Sequence, residues 1–263
     1  MKRERLSMSN HMERIRNIQL QDSIVSAEEA ASWITDGMTL GLSGFTRAGD
    51  AKAVPLALID RAETESFKVN VFTGASLGSD IDRLLAESGI VNKRLPFQAD
   101  RAMRNKINEG AHLFVDQHLS HTAEMLRAGT LESIDYAIIE AVAITEDGLL
   151  IPSTSVGNSL AFVANAENII IEINTAQSAN FEGLHDLYDL AKQGERGPIP
   201  LTKADERIGT KGIPLNLDRV RGIVLTNQAD SPSTIESPDE ETEVMAEHLL
   251  TFLRSEIEAG RLT

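Results

Sequence analysis

Tyr136-Ala-Ile-Ile-Glu-Ala-Val-Ala-Ile144 is an almost unbroken apolar run, and Asn168-Ile-Ile-Ile-Glu-Ile173 repeats the pattern later in the chain. Strands with apolar residues at successive positions are covered on both faces, which is typical of parallel sheets between layers of helices. Amphipathic stretches separate these runs. The sequence therefore predicts an α/β fold with an open, mostly parallel sheet and helices on both faces.

Outward from these runs, apolar and amphipathic segments alternate along the chain. Strands are predicted at residues 38–45, 68–72, 111–115, 136–144, 168–173 and 220–226, and helices at residues 51–63, 80–87, 100–108, 120–127 and 159–165. Ser26 and Glu29 have the spacing of a capping box, which predicts a further short helix through Ile34.

Three features interrupt the alternation. Asp147-Gly148 lies between apolar runs and predicts a hairpin with one antiparallel strand. Residues 193–212 are rich in glycine and proline and predict a long surface connection. Ser237-Pro238 predicts the N-cap and first residue of a long amphipathic helix that ends at Gly260.

Composition excludes several classes of function. The 263 residues include 40 Asp and Glu but only 25 Lys and Arg, and a net charge of -15 disfavours nucleic acid and anionic membranes as partners. The chain has no cysteine, which excludes disulfides, thiolate nucleophiles and cysteine-ligated zinc. No apolar run is long enough to span a bilayer, and no apolar segment follows the basic N-terminus. We expect a cytoplasmic protein with a mobile extension at residues 1–18 and one α/β domain at residues 19–263.

The segment Gly41-Leu-Ser-Gly44-Phe-Thr-Arg-Ala-Gly49-Asp-Ala-Lys52-Ala-Val-Pro55 is the most informative for function. A strand runs into a glycine-containing loop and then a helix, which is where open parallel sheets bind ligands. The glycine spacing differs from the dinucleotide-binding fingerprint, and Asp50 stands where a Walker loop has lysine. A purely structural turn is the alternative interpretation.

Two further loops connect an apolar run to a helix. One is Phe72-Thr-Gly-Ala-Ser76-Leu-Gly78, and the other is Thr154-Ser-Val-Gly157-Asn158-Ser159. Three such loops at one edge of the sheet would form a shared cleft. Ser76 has no base nearby in sequence and lacks the spacing of a nucleophile elbow, so it is interpreted as a turn or cap residue unless a ligand uses its hydroxyl.

Other polar residues have both a functional and a structural interpretation. His118 and His121 precede Glu124 at spacings that one helix face can share, yet the stretch matches no closed set of metal ligands, and no metal site is expected. Glu140 and Glu172 each lie in an apolar strand. Either could be a carboxylate with a raised pKa near the sheet edge, but a paired acid of the core is the commoner case.

The sequence resembles the acetyl-CoA hydrolase/transferase family, the class I CoA-transferases, over residues 20 to 263. The matching motifs follow the family's order: Ser43-Gly-Phe-Thr46 with Ala48-Gly49, Lys52-Ala-Val-Pro55, Thr73-Gly-Ala-Ser76, Arg94-Leu-Pro-Phe-Gln98, Phe114-Val-Asp-x-His118-Leu-Ser120, Ile138-Ile-Glu140-Ala141, Val156-Gly157-Asn158, Arg207-Ile-Gly209 and Glu258-Ala-Gly-Arg-Leu262. The resemblance is to the N-terminal half of such an enzyme.

The resemblance implies covalent catalysis, in which a glutamate of a second domain attacks the acyl-CoA thioester and later carries CoA. No glutamate here matches that motif, so no catalytic residue is assigned and the chain alone is expected to be inactive. The residues expected to hold the acyl group are Gly44, Phe45, Thr46, Ser76, Gln98, Gly157 and Asn158. Arg47 and Asp50 depart from the family pattern, which usually has proline at the first of these positions.

The resemblance therefore implies the N-terminal domain of an acyl-CoA:carboxylate CoA-transferase, with coenzyme A as substrate and no cofactor. The expected partners are an acyl-CoA, a small carboxylate such as acetate, a second CoA-transferase domain or chain, and further copies in a homo-oligomer. The alternatives are an acetyl-CoA hydrolase on the same scaffold and a non-catalytic acyl-CoA-binding subunit. An unrelated nucleotide-binding protein is disfavoured because both phosphate-loop spacings fail.

Overall fold

The computed structural model describes residues 13–78 and 80–262. The chain divides into one unit that ends at Pro232 and a second that begins at Ser233. In the first unit the strands are β1 Thr39–Leu42, β2 Val69–Thr73, β3 Val91–Leu95, β4 Leu113–Phe114, β5 Ile134–Ile144, β6 Leu149–Pro152, β7 Ala166–Asn174, β8 Ile213–Pro214 and β9 Val220–Thr226. The helices are α1 Ala27–Ser32, α2 Ala53–Arg61, α3 Ile81–Ser88, α4 Arg101–Asn108, α5 Leu119–Arg127 and α6 Ser159–Asn165.

The strands form a mostly parallel sheet, as predicted. Parallel pairing runs through β4, β3, β2, β1, β5, β7 and β9 in that order. The exceptions are β6, antiparallel to β5, and β8, antiparallel to β6. The predicted hairpin between β5 and β6 is confirmed: the Gly148 N–H donates to the Thr145 carbonyl over 3.1 Å, and Gly148 has a φ of 80°.

Two apolar cores lie on opposite faces of the sheet. Tyr136 and Ile138 of β5 belong to one core, and Ala137 and Ile139 to the other. Helices α1 to α4 contribute to the first core, whereas α5 and α6 contribute to the second. Alternate side chains of β5 are therefore buried in different cores, which explains the unbroken apolar run and confirms that helices cover both faces.

The second unit contains helix α7, Glu240–Glu258. Its N-cap is Asp239, whose side chain accepts a hydrogen bond from the Thr242 N–H over 2.8 Å. The predicted N-cap at Ser237 is therefore wrong, because the aspartate two residues later already satisfies a free N–H of the first turn. The predicted end is confirmed at Gly260, which has a φ of 68°.

Residues 13–18 differ from the prediction of a mobile extension. Ile15 is buried and forms a parallel bridge with Ile144, and the Arg14 guanidinium donates to the Val142 carbonyl over 3.0 Å. The extension predicted through residue 18 is thus wrong for these six residues, because an apolar side chain and backbone pairing anchor them to β5. Residues 1–12 lie outside the described residues. Within the described ranges, no helix combines the length and the apolar character needed to cross a membrane.

Candidate functional site

Three loops meet where β1 and β2 end, and three glycines form the contact. A Cβ added to Gly74 would lie 2.4 Å from the Gly44 carbonyl oxygen and 3.3 Å from the Gly157 Cα. The Asn158 side-chain amide donates to the Thr73 carbonyl over 3.1 Å. The structure therefore brings together the loops that follow β1, β2 and β6, including the predicted site residues Gly44, Gly157 and Asn158.

We expect Gly74→Ala to destabilise the protein by about 1–3 kcal/mol, because the new methyl group meets backbone that cannot rotate away. Gly197→Ala is the matched control, since a Cβ there meets nothing within 4 Å, and its effect should stay within about 0.5 kcal/mol. Urea unfolding measures both. Equal effects of the two substitutions would contradict the close packing of the three loops.

Phe45 to Ala48 form a tight turn whose tip is Thr46 and Arg47. The Phe45 N–H donates to the Ala48 carbonyl over 2.9 Å, and the Ala48 N–H donates back over 3.3 Å. Thr46 and Arg47 have φ values of 51° and 69°, so both lie in the left-handed region that a primed turn requires. Proline cannot adopt a positive φ. The proline that the family usually has at position 47 would therefore not fit the turn observed here.

Arg47→Gly should raise the free energy of unfolding by about 1 kcal/mol, because glycine adopts the left-handed region without the steric penalty of a Cβ. Denaturant unfolding at neutral pH tests this expectation. As a control, Arg104→Gly places glycine inside α4 and should destabilise by about 1 kcal/mol. If Arg47→Gly is less stable than the unchanged protein, the contacts of the arginine side chain stabilise the fold by more than the strained backbone destabilises it.

Arg94 is a buried residue that joins the loop after β2 to helix α3. Its guanidinium donates to Thr73 Oγ1 over 2.8 Å, to the Ala75 carbonyl over 3.1 Å and to Asp82 Oδ1 over 3.1 Å. The other Asp82 oxygen accepts from the Leu77 N–H over 2.7 Å. This buried pair therefore holds the loop that carries Ser76. Arg94 was identified in the sequence only as part of a motif, without a role.

Ser76 and Gln98 lie in adjacent loops. Ser76 Oγ accepts from the Ala99 N–H over 2.9 Å, and Gln98 Oε1 accepts from the Asp100 N–H over 2.8 Å. Gln98 is 6% exposed, and its Nε2 has no hydrogen-bond partner among the described residues. A buried amide donor left free is costly unless a ligand accepts from it. The serine hydroxyl and the glutamine amide are thus two available donors.

A buried ionic cluster lies beneath the loop that follows β1. Lys52 Nζ is 2.6 Å from Glu140 Oε2 and 2.9 Å from Asp230 Oδ1, and it donates to the Asp50 carbonyl over 2.8 Å. Asp230 also accepts from the Thr154 hydroxyl over 2.5 Å. The cluster therefore ties this loop to β5, to the loop after β6 and to the segment after β9.

The two strand glutamates are acids of the protein interior. Glu140 also accepts from the Ser153 hydroxyl over 2.6 Å and from the Asn174 amide over 2.9 Å. The Glu172 carboxylate accepts N–H bonds from Lys52, Ala53 and Val54 at 2.7–2.9 Å, where α2 begins. These hydrogen bonds satisfy free amides of the first helical turn. Glu140 is therefore a paired acid of the core, whereas Glu172 is held by backbone amides instead of a basic side chain.

Burial raises the pKa values of three carboxyl groups in this region, those of Asp50, Glu140 and Glu172. Burial raises the pKa of Asp50 to about 6, opposed by Lys52 and reinforced by Glu140. Burial also raises the pKa of Glu172 to about 7, although its three backbone hydrogen bonds favour the carboxylate. Among residues 13–78 and 80–262, neither Asp50 oxygen has a hydrogen-bond partner, and the nearer one is 3.9 Å from Lys52 Nζ. Ionised Asp50 is therefore poorly compensated.

His118 and His121 lie at the start of α5, where His118 is the N-cap residue. The rings of His118 and His121 make an edge contact at 5.3 Å, and the Glu124 carboxylate pairs with the guanidinium groups of Arg127 and Arg196. A groove of about 390 Å³ extends from Gly157 and Asn158 to the following residues: Arg127, Leu160, His185, Leu187 and Tyr188.

Comparison with known proteins identifies the family. Residues 8–208 match the family model described as the acetyl-CoA hydrolase/transferase N-terminal domain. Two relatives are a succinyl-CoA:acetate CoA-transferase of Clostridium kluyveri, 42% identical over 95% of this chain and 47% of its own length, and an acetyl-CoA hydrolase of Saccharomyces cerevisiae, 36% identical over 98% of this chain and 51% of its own length. The chain thus spans about half the length of these relatives.

Solved structures agree with the fold. RipA from Yersinia pestis matches with a TM-score of 0.60 at 15% identity, covering 84% of this chain and 46% of RipA. An acyl-CoA transferase from E. coli O157:H7 matches with a TM-score of 0.51 at 14% identity, covering 82% of this chain and 49% of that protein. These structural likenesses concern the fold alone. Because the family model matches residues 8–208, the chain belongs to the acetyl-CoA hydrolase/transferase family.

Proposed function

We propose that this chain forms the N-terminal half of an acyl-CoA:carboxylate CoA-transferase. The complete enzyme would move CoA between an acyl-CoA, such as succinyl-CoA or propionyl-CoA, and a small carboxylate, such as acetate or succinate. The likeness to the succinyl-CoA:acetate CoA-transferase along nearly the whole chain carries this proposal. Coenzyme A is then a substrate, and the reaction needs no further cofactor.

In this proposal, the loops that meet at Gly44, Gly74 and Gly157 form one wall of the acyl site. The free Gln98 amide and the Ser76 hydroxyl are donors for the acyl carbonyl or the acceptor carboxylate. Phe45 is 43% exposed and offers an apolar surface beside them. The full set of proposed substrate-binding residues is Gly44, Phe45, Thr46, Ser76, Gln98, Gly157 and Asn158.

The nucleophile is proposed to come from a second domain. A glutamate carboxylate there attacks the thioester carbonyl, a new C–O bond forms, the C–S bond breaks, and CoA leaves as the thiolate. The thiolate then attacks the glutamyl carbonyl of the anhydride, which releases the free acid and leaves CoA on the glutamate. An acceptor carboxylate reverses these steps. Glu140 and Glu172 are buried and already hydrogen-bonded, which supports a nucleophile outside this chain.

Formation of acetyl-CoA from succinyl-CoA and acetate tests the proposal. The purified chain is assayed by chromatography, alone and together with a chain that carries the second domain. We expect transfer only in the combined sample. Transfer by the chain alone would show that the nucleophile lies within it. Absence of transfer in a combined sample that forms a stable complex would overturn the transferase proposal.

Acetyl-CoA hydrolysis is the second candidate, because relatives such as the Saccharomyces cerevisiae protein are named acetyl-CoA hydrolases. Thiol release from acetyl-CoA without any carboxylate acceptor distinguishes the two reactions. A rate that is independent of added acetate favours the hydrolase. Binding of acyl-CoA without turnover in every combination would instead indicate a non-catalytic acyl-CoA-binding subunit.

A further inference from the structure

Thr46 and Arg47 adopt a left-handed backbone conformation that is unfavourable for threonine and arginine. A primed turn with two left-handed residues is normally occupied by asparagine, aspartate or glycine, because a larger side chain in this region is sterically strained. Such strain persists where the surrounding structure enforces it, and it is most common at ligand-binding sites. Here the Arg47 N–H donates to the Ser76 carbonyl over 3.2 Å, which fixes the tip of the turn against the neighbouring loop.

Within the part of the chain that the structure describes, the Arg47 side chain has no anionic partner. The chain contains 40 acidic residues against 25 Lys and Arg, so a half-buried arginine would be expected to find a carboxylate. Among residues 13–78 and 80–262, however, the guanidinium of Arg47 forms no ion pair and donates no hydrogen bond. The guanidinium is therefore available to an anion from outside the chain.

Nearby charges leave Arg47 as the cation that such an anion would meet. Lys52 is fully buried, and Glu140 and Asp230 already occupy its ammonium group. The acids of this cluster outnumber their lysine, so the region beneath the turn repels a second carboxylate. A ligand whose single carboxyl group is at the reacting end has no further negative charge that needs a cation here. A ligand with a second, distal carboxylate needs a cation to compensate that charge.

We propose that Arg47 binds the distal carboxylate of a dicarboxylic acyl group and so selects donors of the succinyl type over neutral acyl-CoAs of equal length. This inference rests on the proposed acyl site and names its substrate class. A guanidinium suits the role because its planar donors match a carboxylate in a bidentate pair. The hydrogen bond from the Arg47 N–H to the Ser76 carbonyl holds the Thr46-Arg47 turn against the loop that carries Ser76.

The test compares succinyl-CoA with butyryl-CoA, which has the same four-carbon acyl chain and a methyl group in place of the distal carboxylate. The assay uses the chain combined with the second-domain chain, and the readout is the ratio of kcat/KM for the two donors. We expect Arg47→Gly to lower the succinyl-to-butyryl ratio about tenfold or more, as for the loss of a charge-assisted pair, and Arg47→Lys to restore part of it. Arg104→Gln, which removes an exposed charge on α4, should leave the ratio unchanged.

A second measurement separates this inference from the proposed function. The chain alone is titrated with succinate and with butyrate, and the NMR signal of the Arg47 Nε–H group is followed. A shift with succinate that butyrate does not produce supports the distal-carboxylate site even if no transfer occurs. The inference is overturned if the two ligands shift the signal equally, or if Arg47→Gly leaves the donor ratio of an active enzyme unchanged. Loss of all transfer with the succinate response intact contradicts only the proposed function.

Discussion

Lys52→Met should destabilise the protein by about 3–5 kcal/mol, the range found when one partner of a buried ion pair is removed. Lys52 is fully buried, with Glu140 Oε2 at 2.6 Å and Asp230 Oδ1 at 2.9 Å. Methionine fills much of the same volume, so the loss reflects the charge. Carboxylates left in the interior without their cation must take up protons or draw in water. Urea unfolding at neutral pH measures the change.

Two further variants decide whether the buried charge is responsible. Lys106→Met removes a partly exposed lysine whose Nζ lies 3.2 Å from Glu109 Oε2, and it should change the free energy of unfolding by less than about 1 kcal/mol. Lys52→Met combined with Glu140→Gln removes one of the uncompensated acids, so part of the lost stability should return. If the double variant is less stable than Lys52→Met alone, the destabilisation comes from packing and the electrostatic explanation is wrong.

The α/β fold could be predicted because its signals are local. The unbroken run in β5 reports burial on both faces, and Asp147-Gly148 marks the antiparallel hairpin within two residues. Strand β3, Val91–Leu95, was missed because polar side chains interrupt it. Arg94 is buried there only because Thr73, Ala75 and Asp82 supply its partners, and these lie elsewhere in the sequence.

The candidate site was only partly predictable for the same reason. The glycine loops after β1, β2 and β6 were identified from strand-to-helix junctions, and the structure brings them together. The ionic cluster was missed, since Lys52 and Asp230 are 178 residues apart and no local pattern links them. Spacing also gave no sign that Thr46 and Arg47 adopt left-handed backbone, because neither is a residue type that favours it.

Asp50→Asn should stabilise the protein at pH 7.5 by up to about 3 kcal/mol, and much less at pH 4. Burial raises the pKa of Asp50 from 3.8 to about 6, which corresponds to about 3 kcal/mol between the two protonation states. The folded chain therefore holds the proton more tightly than the unfolded chain. The resulting stability is fully present below pH 3.8 and is lost as the pH rises towards about 6.

Asparagine resembles the protonated carboxyl group and does not titrate, so the variant lacks this pH-dependent loss. Urea unfolding of both proteins from pH 4 to pH 7.5 gives the stability difference, which should grow with pH and level off above about 6. Asp60→Asn, at an exposed position on α2, should change the free energy of unfolding by less than about 0.5 kcal/mol at every pH in this range. A difference that is constant with pH, or largest at pH 4, contradicts an ionised Asp50 in the interior. A Cβ on Gly44 would lie 2.6 Å from the Asp50 Cβ. The charge that Asp50 gains on ionisation is therefore next to the loop that carries the proposed acyl site.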